Sequence, residues 1–469
     1  MASLSYDEAA HLIRRAGFGG PPNEIDDLAS RGREGAVDYL INFGQIDNRA
    51  MEDLLAASFD FTEQQDINNG EIRRWWFTRL FTSKRQFEEK MTLFWHNHFA
   101  TSSSKVQDFF MFKQNNLLRA NALARFDDLL LRVSQDPAML IWLDNITNVL
   151  GSANENFGRE LQELFTMGIK DVVTGVENYT EQDVKEVARC FTGWNYQRRP
   201  PFPFQLNANL HDNGTNTIFG QQGNFSGEDV ITILCAKQAT ARYLTWKLFN
   251  FFVQPMTGSK ADSKTIDKFA DVYLTSNHSI TELVRAIFTS DEFFSERARF
   301  SLVKQPVELV VGAVRMLGAN YSPGTPNNRG AASVPLQSAR NMGQDLFGPS
   351  DVAGWPFNLG WVDTASMLER FNYTNLFVTN RNQNGLGAFV TNDLLKSYTR
   401  GNSKKTVKKF FSVLGPLSPG NSTRKLLQTY LEAGDNGQPV GFTNNDATID
   451  KKVRGLVHQI MCLPDFQLN

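Results

Sequence analysis

Apolar residues recur at helical spacing through most of the chain. Residues 6–16 place Ala9, Leu12 and Ile13 on one stripe and stop before Gly17. Asn23, after Pro21 and Pro22, is read as the cap of a second helix, and Gly32 as its stop. Two strong amphipathic stretches follow at 71–82 and 86–99; in the second, Phe87, Met91, Phe94, Trp95 and His98 share a face. The spacing predicts another helix over 154–166, with Phe157, Leu161, Leu164 and Phe165 inward and Gly168 as its close. Thr180 opens the next, because Asp183 stands three residues on in capping-box position, and Val184, Val187, Ala188 and Phe191 form its buried stripe up to Gly193.

The pattern breaks twice. Residues 195–227 are crowded with Pro, Asn and Gly, and residues 319–362 form a second irregular segment. Helical periodicity occupies 228–317 between them and returns afterwards, with the last helix expected from Asp446 onward. No fixed-period repeat and no clean linker divides the chain. The expectation is a mainly α fold: one large multi-helical body over 1–469, a loop insertion at 195–227, an irregular segment at 319–362, and at most a small β-hairpin.

Composition narrows the class. Hydrophobic residues make up 41% of the chain, with 37 Phe, enough for a packed core. The 48 basic and 50 acidic residues leave a net charge of -2, which gives no field to attract nucleic acid or an anionic membrane. The run Lys404, Lys405, Lys408 and Lys409 reads as a solvated helix face. Cys190, Cys235 and Cys462 have neither disulfide nor zinc spacing. No signal peptide and no membrane span is visible, so a soluble protein is expected.

Four features could carry chemistry. His96 and His98 flank Asn97; on a regular helix their rings point about 200° apart, so they converge only if the helix ends near Asn97. The following Ala-Thr-Ser run suggests that it does. Glu160 and Glu163 share a helix face, with Asn156 on the same side and Arg159 within reach of Glu155 and Glu163. His211–Asp212 sits in the long loop, where sites collect on a rigid scaffold. Trp194, Trp355 and Trp361 occupy Gly/Pro-rich positions, as stacking platforms for sugars or as plugs at the core's edge. No Walker loop, dinucleotide fingerprint, serine elbow, HExxH or EF-hand pattern is present, nor any nucleic-acid-binding signature.

Several long motifs in order resemble the bacterial family known as domain of unknown function 1800. They are HLIRRAGFG at 11–19, FWHNHFATS at 94–102, NENFGRELQELFTMGI at 154–169, YTEQDVKEVARCFTGW at 179–194 and HD at 211–212. They continue with KQPVELVVG at 304–312, GQDLFGPSDVAGWP at 343–356, and Trp361, Arg370 and Asn372. Two departures stand out: Asn216 and Thr217 replace a lysine typical after the HD pair, and Pro349-Ser350-Asp351 replaces a Pro-Pro. The resemblance lends no mechanism. It implies export for many members, and a partner of the family called domain of unknown function 1501, which resembles phosphatases and sulfatases.

Two functional expectations follow. The first is a metal-dependent enzyme, a hydrolase or oxygenase acting on envelope or polymeric material. His96, His98, His211 and Asp212 would hold zinc, manganese or iron. Glu160, Glu163 and Arg159 would do the catalytic work, and Trp194, Trp355, Trp361 and Asn156 would bind substrate. The second is a non-catalytic scaffold that binds glycan or protein, in which the same polar residues form a buried hydrogen-bond network joining the helices.

Overall fold

Cap chemistry sets most helix starts. Ser5 and Glu8 form a reciprocal capping box at the head of helix Tyr6–Arg15. Thr180 and Asp183 do the same for helix Glu181–Cys190, and Asn68 caps helix Asn69–Thr82. The second helix differs from expectation: it spans Pro22–Ser30 with Pro21, not Asn23, at the cap position, because Pro22 supplies the helical φ of the first turn without needing a partner for an N–H. The computed structural model describes residues 3–61, 64, 67–323, 333–380, 388–434 and 436–469.

The architecture is mainly α, with helices from Tyr6 to Gln467 and little strand. Among the described residues no helix is long and apolar enough to cross a membrane. Among the described residues the sheets are all two-stranded, with a few isolated bridges besides, and there is more pairing than one hairpin. Trp194–Tyr196 pairs antiparallel with Phe204–Leu206, and Asn216–Ile218 with Gln221–Gly223, both inside the segment expected as a loop insertion. Asn320–Tyr321 pairs with Ala388–Phe389. The turn of the second hairpin is Phe219–Gly220, both at positive φ (49° and 78°), the twist that joins strands through two residues. Phe-Gly is not the Asn-Gly signature of such a turn, so the sequence reads as loop.

The centre of the body is helix Gln86–His98, all 13 of whose residues are buried. A buried carboxylate demands partners, and Glu89, fully enclosed, has them from two other helices. It accepts from Arg79 Nε at 2.7 Å, Arg119 Nε at 2.8 Å, Arg119 Nη2 at 3.0 Å and Trp76 Nε1 at 3.1 Å. Burial pushes its pKa up, but the Arg119 and Arg79 guanidinium groups overcome that and hold it at about 2. One turn face away, Lys90 donates to Glu308 of helix Pro306–Leu317. The helices Asn69–Thr82, Asp108–Ala120 and Pro306–Leu317 are thus tied to the central one through charge as well as packing.

Helix Glu155–Glu160 does not run on regularly to residue 166 as expected. It widens into a π-helix over Leu161–Thr166, where the Thr166 hydroxyl donates to the Leu161 carbonyl five residues back. The widened turn leaves Leu164 only partly buried, off the stripe that the 3.6-residue period assigned it. Helix Glu181–Cys190 crosses this one at Gly158, where a Cβ would stand 3.2 Å from the Ala188 nitrogen and 3.3 Å from the Val184 oxygen. Lys404, Lys405 and Lys408 are exposed on helix Ser403–Val413, as a solvated face requires.

Replacing Glu89 by Gln leaves two buried guanidinium groups without their counter-charge. The E89Q protein is expected to lose about 3 kcal/mol or more of unfolding free energy in urea titration. A loss below about 1 kcal/mol would show that the pair is not held as described.

Candidate functional site

The His-Asn-His motif closes backbone rather than opening a cleft. The helix continues through His98, with the Phe99 N–H bonded to the Trp95 carbonyl, so the two rings diverge instead of converging at a helix end near Asn97. His96 Nε2 accepts from the Phe347 N–H at 3.2 Å. Asn97 Oδ1 accepts from the Trp355 N–H at 2.6 Å, and its Nδ2 reaches the Trp355 carbonyl at 3.5 Å. Gly354 permits that approach: at φ +84° a Cβ would stand 2.3 Å from Asn97 Oδ1. The motif therefore pins the irregular 347–355 segment to the central helix. His98 points the other way and donates from Nε2 to the Phe165 carbonyl at 3.1 Å, which leaves Nδ1 as the acceptor, buried and without a partner. Burial holds both rings neutral, with His96 pushed down to about 3 and His98 well below the usual imidazole range.

His211 and Asp212 belong to a different part of the fold. His211 Nδ1 donates to the Thr192 carbonyl at 2.8 Å. Asp212 accepts from Arg189 Nε at 2.8 Å, and that hydrogen bond, against burial, holds its carboxyl below the usual range. Together they fasten the hairpin segment to the end of helix Glu181–Cys190. Asn216, in the neighbourhood of the family's lysine, is buried and donates to Cys190 Sγ. Among the described residues no three His, Cys, Asp or Glu side chains are grouped to hold a metal ion. The expected set of His96, His98, His211 and Asp212 is not assembled. Helix geometry separates the first two, and the last two are engaged with Thr192 and Arg189. Trp194, Trp355 and Trp361 are buried at 1%, 3% and 3% exposure, so they plug the core and do not offer ring faces as stacking platforms.

The glutamates are arranged differently. Arg159 forms a bidentate pair with Glu181 (both 2.8 Å) and lies 3.5 Å from Glu155 and 3.8 Å from Glu163. The Tyr179 hydroxyl donates to Glu163 Oε1. Glu160, half-buried, has no hydrogen bond or ion pair among the described residues. Burial, and then the charge of Glu163, raises its pKa, while Arg159 opposes the rise. Asn156 is exposed in the first turn, its N–H capped by the Asn154 side chain.

Two further residues come from helix Gln238–Phe252, which packs on the π-helix. Tyr243 is buried, and burial and then Glu163 push its phenol up. Gly168 abuts its ring: a Cβ there would stand 3.0 Å from Tyr243 Cδ2, and φ is +77°. Lys247, 6% exposed, lies 5.3 Å from the Tyr243 ring centre and 6.0 Å from that of Phe357, and burial pushes its amine down to about 8. Tyr179, Tyr243 and Lys247 escaped the sequence reading. The signal for Lys247 is its position: with Leu244, Leu248 and Phe251 at i−3, i+1 and i+4, it is a charge on an apolar stripe.

The buried imidazoles make stability depend on pH with a definite sign. The unfolded ring titrates near 6.5, the folded ring lower, so the unfolded chain binds protons first. The contribution is full above about pH 6.5 and falls as the pH drops toward 3. His96→Ala, which orphans the Phe347 N–H, is expected to cost about 1–3 kcal/mol at pH 7.5. The gap from wild type should narrow at pH 5 and be the same with and without chelator. A chelator-dependent gap, or one constant from pH 7.5 to 5, would contradict a purely structural histidine.

A family model described as "Protein of unknown function (DUF1800)" matches residues 11–468. No curated protein and no solved structure matches the chain.

Proposed function

The chain belongs to the DUF1800 family, and we propose that it is a hydrolase of polymeric envelope material, working by acid–base catalysis at Glu160 and Glu163. The reading is carried by one observation: a half-buried carboxyl without a partner, its pKa raised by burial and by a second carboxylate one turn away. Paired carboxyls whose surroundings differ are the usual means of running acid and base steps at one pH. Glu160 in its neutral form protonates the oxygen of the leaving group. Glu163, oriented by the Tyr179 hydroxyl and by Arg159, takes a proton from the attacking water. The cleaved bond, glycosidic or ester, thereby gains one water across it. A divalent ion, if this activity uses one, would be held on this face by Glu160 and Glu163 oxygens; the zinc, manganese or iron site built on histidines is not part of the proposal.

A second reading has its own support in the bonds from His96 and Asn97 to the backbone of Phe347 and Trp355. Here the chain is a non-catalytic scaffold for glycan or for a partner of the domain of unknown function 1501 family, and its motif residues serve rigidity alone.

The two readings separate in a hydrolysis panel of neutral, uronate-containing and sulfated glycans and of polyesters, read by new reducing ends or released acid. The wild type is expected to cleave at least one class. Glu160→Gln and Glu163→Gln should each lose about 100-fold or more in kcat while unfolding normally. Activity should fall on the alkaline side as Glu160 ionises. No release from any polymer, or full activity in both variants, would leave the scaffold reading standing.

A further inference from the structure

Three buried lysines can be compared. Lys90 is paired with Glu308, and Lys304 donates to the carbonyls of Phe466 and Leu468. Lys247, buried like them, has no hydrogen bond or ion pair among the described residues. An enclosed ammonium without a partner is costly, and a fold that satisfies its other two has left this one free. The Lys247 side chain is not sealed completely: the residue keeps 6% of its surface exposed. The rings of Tyr243 and Phe357 lie 5.3 Å and 6.0 Å from its Nζ. Phe357 stands two residues beyond Trp355, where the segment bonded by His96 and Asn97 ends.

We infer that Lys247 is a nucleophilic amine, which condenses with an aldehyde or ketone group of a ligand entering between Tyr243 and Phe357. The nitrogen lone pair adds to the carbonyl carbon. The carbinolamine then loses the former carbonyl oxygen with two protons as one water, and a C=N bond remains. No oxidant or reductant is consumed. The surroundings favour the uncharged amine that the addition needs: burial pushes it down to about 8, and His98 on the central helix, which feels its charge, is itself neutral. The charge of Glu163 acts on the Tyr243 phenol, whose pKa burial and then Glu163 raise. The inference stands apart from the hydrolysis proposed above, because it needs neither Glu160 nor Glu163.

The test is reductive trapping. The full chain is treated at pH 7.5 with limiting acetaldehyde and cyanoborohydride, and modified lysines are mapped by mass spectrometry over time. The Lys247 peptide is expected to be alkylated at least about tenfold faster than Lys404 and Lys405, which are exposed. Lys247→Met should lose that fast phase. Lys247→Arg, which keeps the charge should the shorter variant fail to fold, should lose it too. Glu160→Gln should keep it. Alkylation of Lys247 no faster than of the exposed lysines overturns the inference. So does slow alkylation that inorganic sulfate blocks at Lys247 alone, which would make the residue the counter-ion of a bound anion.

Discussion

Enclosing helix Gln86–His98 along its whole length makes it costly for any polar group on it to lack a partner inside the protein, and among the described residues only a few atoms, His98 Nδ1 among them, go without. That constraint organises the surrounding elements. Glu89 draws in Arg79 and Arg119 from two helices, and Lys90 draws in Glu308 from a third. Asn97 and His96 satisfy the backbone of a segment about 250 residues later in sequence, which would otherwise bring bare N–H groups into the core. The charged residues are not decoration on a hydrophobic core. They decide which helices can sit against it, because any other neighbour would leave an ion unpaired.

The same demand explains what the most conspicuous motif is engaged in. Both histidines are spent on backbone atoms and held neutral by burial. The unspent groups lie a layer away, where the chain widens into a π-helix against helix Gln238–Phe252. Glu160, half-buried, and Lys247, 6% exposed, are there, and neither has a hydrogen bond or ion pair among the described residues. Carrying such groups is destabilising, and the proposed function supplies a reason for it; π-turns recur at sites of function.

Much of this was legible beforehand. Apolar spacing identified the helices at 6–16, 71–82, 86–99 and from Thr180 toward Gly193, the last ending earlier, at Cys190, and Asp183 three residues after Thr180 marked a real capping box. The Glu160, Glu163 and Arg159 cluster followed from their spacing on one turn. Other features were not legible. The hairpins within 195–227 depend on a Phe-Gly turn with no strong signature, and on partners that short polar strands do not advertise. Tyr179 reaches Glu163 across a loop, and Tyr243 and Lys247 arrive from a helix some eighty residues downstream.

By itself, the sequence determined the class of fold, the helix starts and the residues that share a face, because period, cap and stripe are properties of neighbours along the chain. It also determined the family, through ordered motifs over nearly the whole length. Only the tertiary structure decided which polar residues are consumed by other segments and which remain free. A histidine beside Asn97 reads the same whether it meets a metal, water or the N–H of Phe347. The choice rests on what a distant part of the chain brings within 3.2 Å, and on how much solvent that contact excludes.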